Sequence, residues 1–399
     1  MFSETRKKTL AFCLVLAILL PGCLDEGSVD ETTTTAEDNP PVEDPVVMDP
    51  ISVPQTPGCD NLNPINCMLP FPSDAFLIPD DTTETGLRVN YATNTLPSSG
   101  LGYVPEIPSL NLLDGMSPST QIMTAFSSMA NLTGVADQNT APMSLEDGHA
   151  TILLNLDSGE RVPHWVENDA RQTDESKTIL FIRTMQPLDP DTEYGVGISN
   201  LDVAPSAAFQ AILDGVPTNA ADVEARRDSM TSLLTTLEAN GHNKSGLKAA
   251  WSFHTASLDS ILGGMLDIRA DALTRLGDDG IGCTVTDVED DWHENGKGFR
   301  LISGSYTVPS YLEPQGTPLS TISRDANGTP QYVADTEIPF TIAIPKTLAE
   351  QNKSGPLVVF GHGFLGYGEV YIREVVLDWA DAYEVSFIGT NISGWSYPD

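Results

Sequence analysis

Residues 356–368, PLVVFGHGFLGYG, run from an apolar segment into a glycine-rich bend, and how they are read decides the fold. Leu357, Val358, Val359 and Phe360 make a continuous apolar strand of the kind buried on both faces of a parallel sheet. Gly361-His362-Gly363-Phe364-Leu365-Gly366 forms the bend, residues 369–382 read as a helix, and Val385 to Ile388 read as a second strand. The result is one βαβ unit. Its loop lies at the carboxyl end of the first strand, where open α/β sheets place their ligands. Working outward, Phe299 to Tyr306 and Pro339 to Ile344 read as further strands of the same sheet, so a domain boundary is expected near residue 298.

The chain before that boundary has a different texture. Residues 57–145 are rich in Pro, Asn and Ser and predict a turn-heavy wrapping. Thr151 to Leu156, Thr178 to Thr184 and Glu193 to Ser199 are β-branched or aromatic runs between polar turns, which predicts a small antiparallel, sandwich-like sheet over residues 150–200. Helices are expected over 221–239, stopped by Gly241, and over 258–276, stopped by Gly277. No internal repeat is visible. The expected fold class is a mixed α+β N-terminal region with a small antiparallel β-sheet, followed by the first strands of an α/β domain.

Residues 1–23 read as an export signal. Arg6, Lys7 and Lys8 supply a positive segment, and Leu10 to Leu20 an apolar core too short for a permanent span. Leu20-Pro21-Gly22-Cys23 resembles a lipobox, with Pro21 where a small or aliphatic residue is usual; it implies a lipid on Cys23 and a membrane as partner. The other reading is an ordinary secretory signal. Residues 24–56 carry Asp, Glu, Thr and Pro with little to bury and read as a disordered acidic tether. The expected location is the bacterial cell envelope, lipid-anchored at the outer membrane or cell surface, or the medium. The formal net charge of −36, from 56 acidic and 20 basic residues, argues against nucleic acid or anionic lipid headgroups as partners. Cys59 and Cys67 bracket a short loop and either close a disulfide in an oxidising compartment or stay as buried thiols. Cys283 is left over, either free and buried or paired beyond Asp399.

The 356–368 segment resembles the oxyanion-loop region of the α/β-hydrolase fold, in particular bacterial lipases and esterases with an HG-x-x-G loop after an early strand. Upstream, Leu69-Pro70-Phe71-Pro72-Ser73-Asp74, Leu188-Asp189-Pro190-Asp191-Thr192-Glu193-Tyr194, Ala250-Trp251-Ser252-Phe253-His254-Thr255-Ala256-Ser257 and Gly304-Ser305-Tyr306-Thr307-Val308-Pro309 resemble the large extracellular lipases of the virulence-factor type. The resemblance implies a carboxylic ester hydrolase acting on an ester or lipid, with no cofactor. It also implies that residues 57–297 are a lipase-associated region and residues 298–399 the N-terminal part of the hydrolase domain. His362, Gly363 and Phe364 would then form the oxyanion loop, the Phe364 N–H being one of its two donors.

A serine hydrolase of this kind needs a serine in G-x-S-x-G, then an acid and a histidine. No such motif occurs. Gly115-Met116-Ser117-Pro118-Ser119 has a proline after the serine and so no N–H there, and Gly394-Trp395-Ser396-Tyr397-Pro398 ends in proline; both read as turns. The nucleophile, acid and base are therefore expected beyond Asp399, and this chain alone is expected to be inactive. His254 reads as a satisfied core residue, and His149, His164 and His242 stand alone. Asp290, Asp291, His293 and Glu294 suit a hard cation only loosely, and a solvated acidic loop is the favoured reading. The rival to an esterase is a surface binding or adhesion lipoprotein whose β-rich region does the work.

Overall fold

The computed structural model describes residues 48–397 apart from residues 64, 279, 281, 315–319 and 327. The expected signal, Cys23 and most of the expected tether lie outside the described residues. The end of that tether belongs to the body instead. The Ile51 N–H donates to Pro217 O at 2.9 Å, and Val53 is buried.

The N-terminal body holds strands β1 (Ile122–Ala125), β2 (Thr151–Asn155), β3 (His164–Asn168), β4 (Ile179–Thr184) and β5 (Glu193–Ser199). Helices α1 (Ala207–Leu213), α2 (Ala221–Ala225) and α3 (Arg227–Ala239) follow, then β6 (Leu247–His254). The strands expected as one sheet are divided between two antiparallel sheets, ordered β1-β4-β3 and β2-β5-β6. Both contribute to one large core with Phe209, Leu233, Leu237, Trp251 and Phe253. Glycines let α3 approach β5: a Cβ at Gly195 would come within 2.7 Å of Leu233, and one at Gly197 within 3.2 Å of Leu237.

The helix expected over 221–239 is broken at Arg226, which leaves helical geometry (φ −96°, ψ 3°) while its guanidinium holds buried Asp60. The segment 258–276 opens with a wide turn, Asp259–Gly263, before α4 (Gly264–Leu276). Gly241 (φ 90°) and Gly277 (φ 65°) follow their helices with the positive φ that a side chain disfavours. No side chain of α4 is buried, and Leu262, Met265 and Leu266 are exposed.

A five-stranded sheet follows, of β7 (Cys283–Asp290), β8 (Gly298–Ser310), β9 (Ala334–Pro345), β10 (Leu357–Phe360) and β11 (Ser386–Thr390). Its order is β10-β11-β9-β8-β7, with β10 and β11 parallel and every other pair antiparallel. The sheet itself starts before residue 298, because β7 pairs with β8 from Tyr306↔Cys283 to Arg300↔Asp290. Asp290, read as part of a solvated acidic loop, ends that strand. Between β10 and β11 run α5 (Gly368–Glu374) and α6 (Leu377–Tyr383), which bury Ile372, Val376 and Ala380 on Leu301, Ala343 and Phe387. The βαβ unit is present with its helix in two pieces.

β10 is not buried on both faces. It is the edge strand, and Leu357 and Val359 are 55% and 79% exposed. Continuous hydrophobicity reports a strand that suits a covered position, and here no described element covers it. Cys59 and Cys67 form the disulfide, whereas Cys283 is free and exposed rather than buried. No helix among the described residues is long and apolar enough to cross a membrane.

Candidate functional site

The loop after β10 is wound tightly enough that its glycines are required. A Cβ at Gly366 would lie 2.8 Å from the Tyr371 ring and 2.9 Å from Gly363 O; one at Gly368 would lie 2.6 Å from Thr390 O. Leu365 itself takes a positive φ of 57°. The loop is closed by Gly366 N–H donating to Gly363 O at 2.9 Å.

Because β10 and β11 are parallel neighbours, the loops at their carboxyl ends adjoin. Leu365 N–H donates to Trp395 O at 2.7 Å, and Gly366 bridges Ser396. At their centre Ser396 Oγ lies 2.9 Å from His362 Nε2, both side chains being buried. His362 Nδ1 lies 2.8 Å from Gly363 O, an atom that only accepts, so the ring proton sits on Nδ1 and Nε2 is an acceptor. The Ile392 N–H donates to Ser396 Oγ at 2.9 Å, and Ile392 O lies 3.0 Å from the same hydroxyl.

Ser396, read from sequence as a turn residue, thus meets His362 in the arrangement of a nucleophile and its base. Three features separate it from one. The hydroxyl is enclosed, it already has neighbours for its proton and a lone pair, and the Nδ1–H goes to a carbonyl rather than to an orienting carboxylate. The pair is a clamp that fixes one loop on the other. Its adjacency follows from the parallel pairing of β10 and β11, a signal the βαβ pattern already contained.

Phe364 is placed differently. Its side chain is 67% exposed, its ring packs edge-on against Trp395 at 5.0 Å, and its N–H meets no acceptor among the described residues. A hollow of about 460 Å³ opens nearby, bounded by Phe340, Tyr367, Gly389 and Asn391. The Gly368 N–H donates to Asn391 Oδ1 at 2.9 Å and holds the start of α5 against this wall.

The other nominated residues lie elsewhere. His254 Nε2 is 3.0 Å from Asp191 Oδ1. His149, His164 and His242 do not stand alone. Ala136 N–H donates to His149 Nε2 at 3.0 Å, Thr151 Oγ1 lies 2.8 Å from His164 Nε2, and Ser199 Oγ lies 2.8 Å from His242 Nδ1. Burial pushes His164 and His242 down to about 4, so both are neutral hydrogen-bonding groups of the core. Asp290 and Asp291 are engaged by Arg300 and Lys346 at 2.7 and 2.6 Å, and no cluster suited to a metal ion occurs among the described residues. Ser117 lies far along the chain from the βαβ unit, in a turn where its hydroxyl accepts from Ser119 N–H at 3.3 Å. No family model matches this chain, and no curated protein shows a significant match to it.

Proposed function

We propose that this chain is the N-terminal part of an exported carboxylic ester hydrolase of the α/β-hydrolase type, tethered through a lipid on Cys23, with its nucleophile outside these 399 residues. The observation that carries the reading is the Phe364 N–H, without an acceptor in the described chain, on a glycine loop at the carboxyl end of a parallel strand. A backbone donor held there is suited to an oxyanion, because it needs no reorganisation when charge develops. The His362–Ser396 clamp fixes the loop that carries it. The substrate class is an ester of a carboxylic acid, with a lipid ester favoured by the membrane tether.

The test uses protein expressed from the uninterrupted reading frame and hydrolysis of p-nitrophenyl butyrate. Phe364→Pro deletes the N–H and is expected to lower kcat by about 10²–10³. Absence of hydrolysis, or an unchanged kcat in Phe364→Pro, overturns the proposal. The 399 residues alone are expected to show no turnover and no fluorophosphonate adduct on Ser396; an adduct there would make Ser396 the nucleophile. Fatty-acid labelling that survives Cys23→Ser would remove the tether from the reading.

A further inference from the structure

Far along the chain from the βαβ unit, the N-terminal body has a hollow between the edges of its two sheets. β1 ends one sheet and β6 ends the other, and Thr124 to Ser127 face Lys248 to Trp251 across a space of about 210 Å³. Leu62, Phe126, Phe209 and Trp251 supply apolar walls and are themselves buried. The polar side chains of the lining are largely engaged within the protein. Asn63 Nδ2 donates to Ala125 O at 2.8 Å, Ser206 Oγ donates to Leu62 O at 2.5 Å, and Trp251 Nε1 donates to Pro72 O at 2.8 Å.

Lys248 is the exception. Every described Lys and Arg except Lys244, Lys248, Arg269 and Arg324 forms an ion pair, as expected in a chain with a net charge of −36. Of those four, only Lys248 lines this hollow, and it has neither an ion pair nor a hydrogen bond among the described residues. An ammonium left without an anion in so acidic a protein, beside a largely apolar recess, matches a ligand with an anionic head and an aliphatic tail. Drug-sized ligands occupy pockets of about 300–1,000 Å³, so the smaller recess suits a medium-chain tail.

We propose that this hollow binds a medium-chain aliphatic carboxylate, its tail against Phe126, Phe209 and Trp251 and its carboxylate paired with Lys248. The site is separate from the loop that carries Phe364, and it stands whether or not the chain belongs to an ester hydrolase. Calorimetric titration of the full chain with octanoate, octanol and octylamine tests it. Octanoate is expected to bind saturably and at least tenfold more tightly than octanol, with octylamine weakest. Lys248→Met should abolish the preference for octanoate over octanol, and Lys248→Arg should keep it. Ala207→Phe, an exposed lining residue enlarged into the mouth, should abolish binding of both with unchanged far-ultraviolet circular dichroism. Equal binding of octanoate and octanol to the unmodified chain overturns the proposal, as does a preference that survives Lys248→Met. Absence of saturable octanoate binding in the millimolar range, or binding of an extended acidic peptide where octanoate fails, overturns it too.

Discussion

Acid should unfold the N-terminal body partly through His164. This residue is fully buried on β3, with Nδ1 2.8 Å from Val162 O and Nε2 2.8 Å from Thr151 Oγ1. The carbonyl fixes a proton on Nδ1, and in the neutral ring Nε2 accepts from the Thr151 hydroxyl. Burial, aided by the neighbouring His149, lowers its pKa from 6.5 to about 4, against the hydrogen bond to Val162 O, which raises it. Between those values the unfolded chain binds the proton and the folded chain does not, so stability rises with pH through the window and is lost on acidification. Going from pH 7 to pH 5 should remove about 2 kcal/mol through this group, approaching about 3.4 kcal/mol below pH 4. His242, also lowered to about 4 by burial, acts in the same direction. Asp74, raised chiefly by burial, acts oppositely: between 3.8 and its folded value the fold holds the extra proton, and acid favours it. Comparison with His164→Asn isolates the one group, since the amide can still donate to Val162 O. Urea unfolding at pH 7 and pH 5 should show the unmodified chain losing about 2 kcal/mol more than the variant. Equal losses in the two proteins would refute the reasoning.

Arg226→Met leaves Asp60, which is 0% exposed, without its bidentate partner at 2.5 and 3.1 Å, and should cost about 3–5 kcal/mol in the same assay; a loss under about 1 kcal/mol would mean that Ser73 Oγ and the Leu62 N–H suffice for that carboxylate. Replacing Cys59 and Cys67 by serine should lower stability by about 2–3 kcal/mol. Mass spectrometry of the non-reduced protein should recover one peptide linking Cys59 to Cys67, and Cys283 should alkylate without reductant; a link from either residue to Cys283 would contradict the structure. Gly368→Ala places a Cβ 2.6 Å from Thr390 O and should cost about 1–3 kcal/mol, read as a lower urea midpoint, whereas an unchanged midpoint would show that α5 shifts freely.

Local pattern carried much of the architecture. Glu193 to Ser199 is a strand with the expected ends, and Gly241 and Gly277 follow their helices, because alternation and a positive φ are properties of a few adjacent residues. The expected disulfide and the parallel βαβ unit hold as well. Arg226 escaped the pattern. Its neighbours are good helix formers, and the break falls at the residue whose guanidinium Asp60, far away in sequence, holds. β7 escaped it for a similar reason: Asp290 reads as part of a solvated acidic loop, and only pairing with β8 places it in a strand.

At the candidate site the division is sharper. The sequence alone determined that a glycine loop with His362, Gly363 and Phe364 follows an apolar strand, since that depends on residue type and order. Only the tertiary structure decided that Ser396 meets His362, that the Phe364 N–H has no acceptor in the described chain, and that β10 is an exposed edge. It alone brought Lys248 to a recess walled by Phe126 and Phe209. Those are relations between segments brought together by sheet order and packing, and neither periodicity nor local propensity encodes which distant side chains will share a space.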